Sequence, residues 1–272
     1  MSVDRTKHAA DFRELHGPGR LLVLPNAWDA ASARVVEECG AQAIATSSAA
    51  VAWAHGWADG NQLPPRAMLA AVAEMARVVR VPLTSDIEGG YSDDPARVAD
   101  LVAAVAGEGA VGVNIEDGAG SIDLLCAKIE AAKAGAARAR VDVFVNARTD
   151  VYLRALVAPE RALAETLERV ARLRAAGCDG VFVPFLALDG VAAVVEACGP
   201  VPLNLLAAPG LPPAAHLREL GVRRLSAGSA LASMALATVR RLASGFLGDG
   251  RSEPLAEGGV AYGEMNGLLA SR

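Results

Sequence analysis

The stretch Thr84-Ser-Asp-Ile-Glu-Gly-Gly-Tyr-Ser-Asp-Asp94 places four carboxylates directly behind an apolar run. Asp86 and Glu88 stand two apart, so on an extended chain their side chains point the same way. Glu116 and Asp117 close a second apolar run, and Asp59 sits in the long loop from Ser47 to Gly60. Carboxylates brought together raise one another's pKa unless a cation compensates them, so their convergence would call for a divalent metal. With oxygen donors only, Mg2+ suits the set, or Mn2+ in its place, better than Zn2+. Asp93 and Asp94, before Pro95, carry a different signature, because acids there satisfy the free amides of a helix start. Asn146-Ala-Arg-Thr-Asp150 brings the opposite charge. The planar fork of Arg148 suits either a substrate carboxylate or phosphate over the metal, or an ion pair with the acids themselves. Ser47 and Ser48 offer backbone N–H groups to an anion, while Asn204 either hydrogen-bonds substrate or serves a turn.

These residues act together only if the elements that carry them open onto one face. Eight short β-rich runs recur, at 21–24, 43–46, 81–84, 111–115, 141–145, 180–183, 201–205 and 222–225. Segments with helical spacing lie between them, such as 94–106, 122–137 and 159–176, and Gly40, Gly109, Gly177 and Gly221 stand where left-handed helix ends require glycine. Continuous apolar strands separated by helices predict a parallel sheet buried on both faces. Eight such units close an α/β fold of the (β/α)8 TIM-barrel type. An open doubly wound sheet is the alternative, but it commonly carries a glycine-rich phosphate turn where this chain has Pro25-Asn-Ala-Trp-Asp29. Barrel sites are built from the loops after the strands, which is where Asp59, Asp86, Glu88, Glu116 and Arg148 fall. The barrel is predicted as a catalytic domain over 1–242. A connector and extra helix follow over 243–272, the helix at 259–269 docking on the same domain or on a neighbour.

Composition narrows the partners. The chain of 272 residues is 53% apolar and only 4% aromatic, so its core must be Ala, Val and Leu. A net charge of -5 without a basic stripe argues against nucleic acid and against anionic membranes. Cys39, Cys126, Cys178 and Cys198 form no metal or redox spacing and read as reduced core residues of a cytoplasmic protein. No apolar run approaches the roughly 20 residues that cross a bilayer, and the start lacks the apolar segment of a secretion signal.

Taken together, these segments resemble the isocitrate lyase and phosphoenolpyruvate mutase superfamily. Pro25-Asn-Ala-Trp-Asp29 is similar to its first loop, Thr46-Ser-Ser48 leading to Trp57-Ala-Asp59 to its second, Asp86-Ile-Glu-Gly-Gly-Tyr91 to its metal loop, and Asn114-Ile-Glu-Asp117 and Asn146-Ala-Arg-Thr-Asp150 to its fourth and fifth strand ends. The resemblance implies Mg2+ held mostly through water by Asp59, Asp86, Glu88 and Glu116. It also implies a small 2-oxo or 2-hydroxy acid on the metal, bound through its carboxylate by Arg148 and by groups near Ser47 and Ser48. The superfamily further implies a homotetramer, a dimer of dimers that exchanges C-terminal helices.

One departure bears on the reaction. Lyases of this superfamily carry a Lys-Lys/Arg-Cys-Gly-His lid after the fourth strand, where this chain has Gly118-Ala-Gly-Ser-Ile-Asp123. Cys126, on the following helix, is predicted as core. Without a lid cysteine, the simplest expectation is oxaloacetate decarboxylase-like cleavage of a C–C bond through a metal-stabilised enolate. Another C–C lyase, a phosphonopyruvate P–C bond enzyme and a non-catalytic 2-oxo acid binder are the alternatives. Tyr91, His55 or water would carry protons for a lyase, although a surface loop suits His55 equally.

Overall fold

The structure, a computed structural model, describes residues 4–270. Nine strand segments form one parallel sheet: β1 (Leu22–Leu24), β2 (Asn26–Ala27), β3 (Ile44–Thr46), β4 (Leu83–Asp86), β5 (Gly112–Glu116), β6 (Phe144–Arg148), β7 (Gly180–Phe182), β8 (Leu203–Leu206) and β9 (Arg224–Ser226). β1 and β2 are halves of one run interrupted at Pro25, which has no N–H to donate. β1 pairs with β9 through Leu22 and Arg224, and β2 pairs with β3 through Asn26 and Ala45. The sheet therefore returns on itself as the expected TIM-like barrel.

An outer layer of helices covers the sheet. In chain order these are α1 (Arg5–Leu15), α2 (Ala30–Glu38), α3 (Ser48–Ala54), α4 (Pro65–Val78), α5 (Pro95–Gly107), α6 (Ile122–Ala139), α7 (Pro159–Ala175), α8 (Val191–Cys198), α9 (Ala214–Glu219), α10 (Ala230–Asp249), α11 (Glu253–Ala256) and α12 (Tyr262–Ala270). Asp94 caps α5 as its position requires, accepting from the Ala96 N–H at 2.9 Å. α5 and α6 approach so closely that a Cβ on Gly135 would lie 2.1 Å from the Ala99 carbonyl oxygen. α1 closes the floor of the barrel, with Phe12 edge-on to Phe144 at 5.5 Å and His16 stacked on the same ring at 4.4 Å.

The barrel interior is polar. Alternation along the strands turns Val113, Ile115, Val145 and Ala147 outward against the helices, and buries Thr84, Asp86, Asn114, Asn146, Asn204, Arg224 and Ser226 on the other side. These are linked across strands: the Asn146 amide donates to Asn114 Oδ1 at 2.9 Å and the Ser226 hydroxyl to Asn204 Oδ1 at 3.2 Å.

Several expectations shift. The run 141–145 is mostly lead-in, and β6 extends to Arg148, so Asn146 and Arg148 belong to the strand itself. The presumed loop from Ser47 to Gly60 begins with α3, because Ser47 supplies an N-cap whose hydroxyl oxygen accepts from the Ala50 N–H. α10 runs unbroken through residue 242. α12 lies on α2 of its own chain, where Arg34 Nε donates to the Leu268 carbonyl at 3.1 Å. Of the cysteines expected in the core, Cys178 and Cys198 are buried; Cys39 is exposed as the C-cap of α2, and Cys126 is half-buried with Sγ 3.7 Å from the Arg172 carbonyl. No helix among the described residues is long and apolar enough to cross a membrane.

Candidate active site

The C-terminal ends of β4, β5 and β6 set the charged groups side by side, with Asp86 paired in register to Asn114, and Glu116 to Arg148. Arg148 is the hub. Its Nη1 meets Glu116 Oε2 at 2.7 Å, and its Nε and Nη2 hold the two oxygens of Asp150 at 2.6 and 3.1 Å. The guanidinium also lies 5.8 Å over the Phe182 ring. Burial opposes its charge, but Glu116, Asp150 and Asp86 outweigh that and raise its pKa further. Asp150 is fully buried and shared with Arg154 Nε at 3.0 Å, so it fixes the fork of Arg148. Asp117, the acid beside Glu116, faces elsewhere: it accepts from Thr149 Oγ1, the Asp150 N–H and Arg169 Nη1, and ties two strand ends together.

β4 ends at Asp86, and the chain does not stay extended beyond it. Glu88 adopts φ of +51° and Tyr91 +55°, a region costly for residues with a side chain. The turn lets the Glu88 N–H donate to Asp86 Oδ1 at 3.0 Å, while the Glu88 carboxylate accepts from the Asn61 N–H and from Tyr91 Oη at 3.0 Å. Burial raises the pKa of Asp86 despite the pull of Arg148, and Asp59 adds to the rise. Burial also raises Glu88 and Glu116, each of which feels Asp86 besides.

Two cavities meet at this cluster. One, of about 300 Å³, is lined by Asp59, Asp86, Arg148, Ser47, Ser48 and Asn114 among others. The second, about 570 Å³, lies on the other side of the Arg148–Glu116 pair and is lined by Glu116, Tyr91, Lys128, Arg154 and the Gly118–Ser121 turn. The sequence-predicted residues are thus divided. Asp59, Asp86, Arg148, Ser47 and Ser48 share one cavity, Glu116 opens on its neighbour, and Glu88 lies buried lining neither. Asn204 sits inside the barrel rather than at a strand end, and lines neither cavity. His55 is the exposed C-cap of α3, its Nδ1 2.9 Å from the Val51 carbonyl, and Cys126 reaches neither cavity.

Among the described residues no three acidic, histidine or cysteine side chains converge as a ready-made ligand set. Mg2+ nevertheless fits this place, because it keeps several waters and takes only one or two carboxylates. Four buried or nearly buried carboxylates, Asp86, Glu88, Glu116 and Asp150, outnumber the guanidinium groups that oppose them, Arg148, Arg154 and the buried Arg224, so an added cation is favoured here. Asp86, at the wall of the smaller cavity, is placed to be the direct ligand.

Sequence reasoning passed over Asp150, Asn26, Asn114 and Arg224. Asn26 holds the barrel seam: its amide donates to the Thr46 carbonyl at 2.8 Å and its Oδ1 accepts from the Gly228 N–H at 2.8 Å. The signal for Asp150 was its spacing of two from Arg148.

Comparisons with known proteins agree on one lineage. The model of the phosphoenolpyruvate phosphomutase family matches residues 12–247. An uncharacterized protein of Mycobacterium tuberculosis (strain H37Rv) is 37% identical over 259 residues, covering 95% of each chain. Two crystal structures from Burkholderia cenocepacia J2315 are similar throughout. A provisionally assigned phosphonomutase is 41% identical, covering 88% of this chain and 99% of its own, with a TM-score of 0.82. A provisionally assigned lyase/mutase is 33% identical, covering 98% and 97%, with a TM-score of 0.88. At 24% identity and a TM-score of 0.84, over 96% of this chain and 94% of the other, phosphonopyruvate hydrolase in complex with oxalate and Mg2+ shares the fold.

Proposed function

The chain belongs to the phosphoenolpyruvate phosphomutase family, and from that membership we propose that it is a Mg2+-dependent enzyme cleaving a C–C bond of a small 2-oxo dicarboxylate, most simply by releasing CO2 from oxaloacetate. The observation that carries this reading is the wall of the 300 Å³ cavity, which presents Arg148, Asp86 and the start of α3 but no cysteine, histidine, lysine or tyrosine. Release of an aldehyde needs a base for its hydroxyl and an acid for the other fragment, whereas CO2 leaves without a proton. Such a wall supports the reaction that asks for fewer proton carriers.

Arg148, its fork preset by Asp150, binds the substrate carboxylate, and the backbone N–H of Ser48 at the start of α3 takes its other edge, that of Ser47 being given to the Ala27 carbonyl at 3.3 Å. Asp86 would hold the metal directly, with Asp59, Glu88 and Glu116 reaching it through water. When bound, Mg2+ supplies Lewis-acid withdrawal of electrons from the 2-oxo and carboxylate oxygens. Phe182, buried on the same wall, gives that side of the cavity an apolar face. A C–C or P–C lyase acting on a larger acid is the second reading, favoured by the neighbouring cavity, where the Tyr91 hydroxyl stands ready as a proton carrier against Glu88.

The decisive assay is pyruvate formation from oxaloacetate above the metal-only background, abolished by EDTA and by Asp86→Ala. Oxalate binding without turnover of any 2-oxo acid, 2-hydroxy acid or phosphonopyruvate would sink the enzyme reading and leave a binder. The same reading includes a cytoplasmic homotetramer, assembled through α10 while α12 stays on α2 of its own chain. α10 supports it, since Met234, Val239 and Leu247 are more than half exposed and only Ala232 is buried. Light scattering is expected to give four times 27.8 kDa, and Val239→Glu with Leu247→Lys a smaller particle.

A further inference from the structure

Arg224 opens β9 and is only 1% exposed, the largest fully buried side chain among the described residues. Its Nη2 donates to Asn114 Oδ1 at 3.3 Å, but among the described residues Nε and Nη1 have no acceptor and no carboxylate lies within ion-pair distance. A buried guanidinium left so is expensive unless something else serves it. Two acceptors in the same interior, Thr84 Oγ1 and Asn146 Oδ1, are unpartnered too. Each stands beside a glycine of the next strand: a Cβ on Gly112 would come within 2.8 Å of Thr84 Oγ1, and one on Gly180 within 2.7 Å of Asn146 Oδ1. Orphan donors and orphan acceptors thus share one tightly packed interior, where the glycines admit Phe12 and Phe144 close to the strands.

The charge nearest in effect is Asp86, and the side chain of Asn114, which accepts from Arg224, also lies against Asp86. We propose that Arg224 is the internal countercharge of the active site, a positioning residue that reaches Asp86 through Asn114 and divides the site's affinity between cation and anion. This rests on the reading of Asp86 as the metal carboxylate. Without Arg224 the excess of carboxylates over guanidinium groups at the mouth grows by one. The cation would then bind more tightly, and the substrate anion less so, because the positive potential under it is lost. One buried unit charge on the order of ten ångströms away shifts the affinity of a divalent ion by roughly two hundredfold at an effective dielectric constant near 20.

The test compares Arg224→Met and Arg224→Lys with wild type in two titrations: Mn2+ alone, followed by electron paramagnetic resonance, and oxalate at saturating Mg2+, followed by calorimetry. For the Met variant we expect Mn2+ to bind roughly a hundredfold more tightly and oxalate roughly a hundredfold more weakly, while Lys keeps both within about threefold. A purely structural arginine would weaken both together, and that result, or no change in either, overturns the proposal. If the Met variant does not fold, Arg224→Gln, which keeps a donor and loses the charge, must show the same opposed shifts. Wild-type protein that binds neither Mn2+ nor oxalate would overturn the proposed function and this inference with it, whereas normal wild-type binding with unmoved variants overturns this inference alone.

Discussion

Arg148→Met removes the charged fork and keeps the aliphatic bulk beneath it. In the wild type the guanidinium satisfies Glu116 at 2.7 Å and both oxygens of Asp150. Asp150 retains Arg154 at 3.0 Å, so the group stranded by the change is Glu116, whose side chain is only 11% exposed. Breaking a buried pair from one side costs about 3–5 kcal/mol, and the second partner of Asp150 places the expected loss near the lower end, about 3 kcal/mol. For a chain of this length that is a fall in midpoint temperature of roughly 6–12 °C. The binding role is separable from this loss. Oxalate at a hundred times its wild-type Kd, with Mg2+ fixed, should stabilise the wild type by about 2.7 kcal/mol. Losing a bidentate charged contact of similar worth lowers affinity about a hundredfold, so the variant should gain only about 0.4 kcal/mol from the same oxalate. Arg148→Lys keeps the charge without the fork and should fall between the two. Urea unfolding with and without oxalate measures both quantities. A variant that keeps the wild-type oxalate increment to within about 0.5 kcal/mol would refute carboxylate binding by Arg148, and one that loses less than about 1 kcal/mol of intrinsic stability would refute the structural ion pair.

Two further outcomes follow from buried groups away from the mouth. His16, whose pKa burial and Arg224 lower to about 3, stays neutral in the fold while the unfolded chain takes a proton near 6.5. The unfolded state therefore binds more protons between those values, and stability should fall on acidification, by about 2 kcal/mol from pH 7.5 to pH 5. Urea midpoints of His16→Asn should be flatter over that range by the same amount, and parallel curves would rule the assignment out. Cys178 and Cys198, whose thiols burial pushes up to about 12, should resist a thiol reagent at pH 8 until the protein unfolds, while Cys39 reacts quickly and Cys126 slowly. Labelling of all four at similar rates in native protein would contradict the packing of α8 and β7.

The sequence carried the architecture because parallel strands buried on both faces leave continuous apolar runs, and glycine punctuates the helix ends. It carried Asp86, Glu116 and Arg148 because a charge emerging from an apolar strand has few other reasons to be there. It was less informative where local geometry overrides periodicity. Glu88 was read two residues from Asp86 on an extended chain, but the turn at φ +51° redirects it to Asn61 and Tyr91. α3 was hidden in a run of Ser and Ala whose capping depends on one hydroxyl. Asn204 looked like a strand terminus because the register of β8 sets its start two residues later than the apolar run suggests.

Arg224 shows where a single sequence falls silent. In Val222-Arg-Arg-Leu225 two adjacent arginines have the same neighbours, and only their opposite facing on the strand decides that Arg224 enters the barrel while Arg223 stays partly outside. That parity is fixed by pairing, Leu22 with Arg224 and Asn204 with Arg224, which no local pattern encodes. The acids at the mouth announced a cation, but its charge depends on how many buried positive groups already oppose them. Arg148 and Arg154 oppose four carboxylates, and Arg224 lowers the remaining excess of negative charge by one more. A residue at the opening of the last strand therefore bears as directly on the metal question as the carboxylates that raised it.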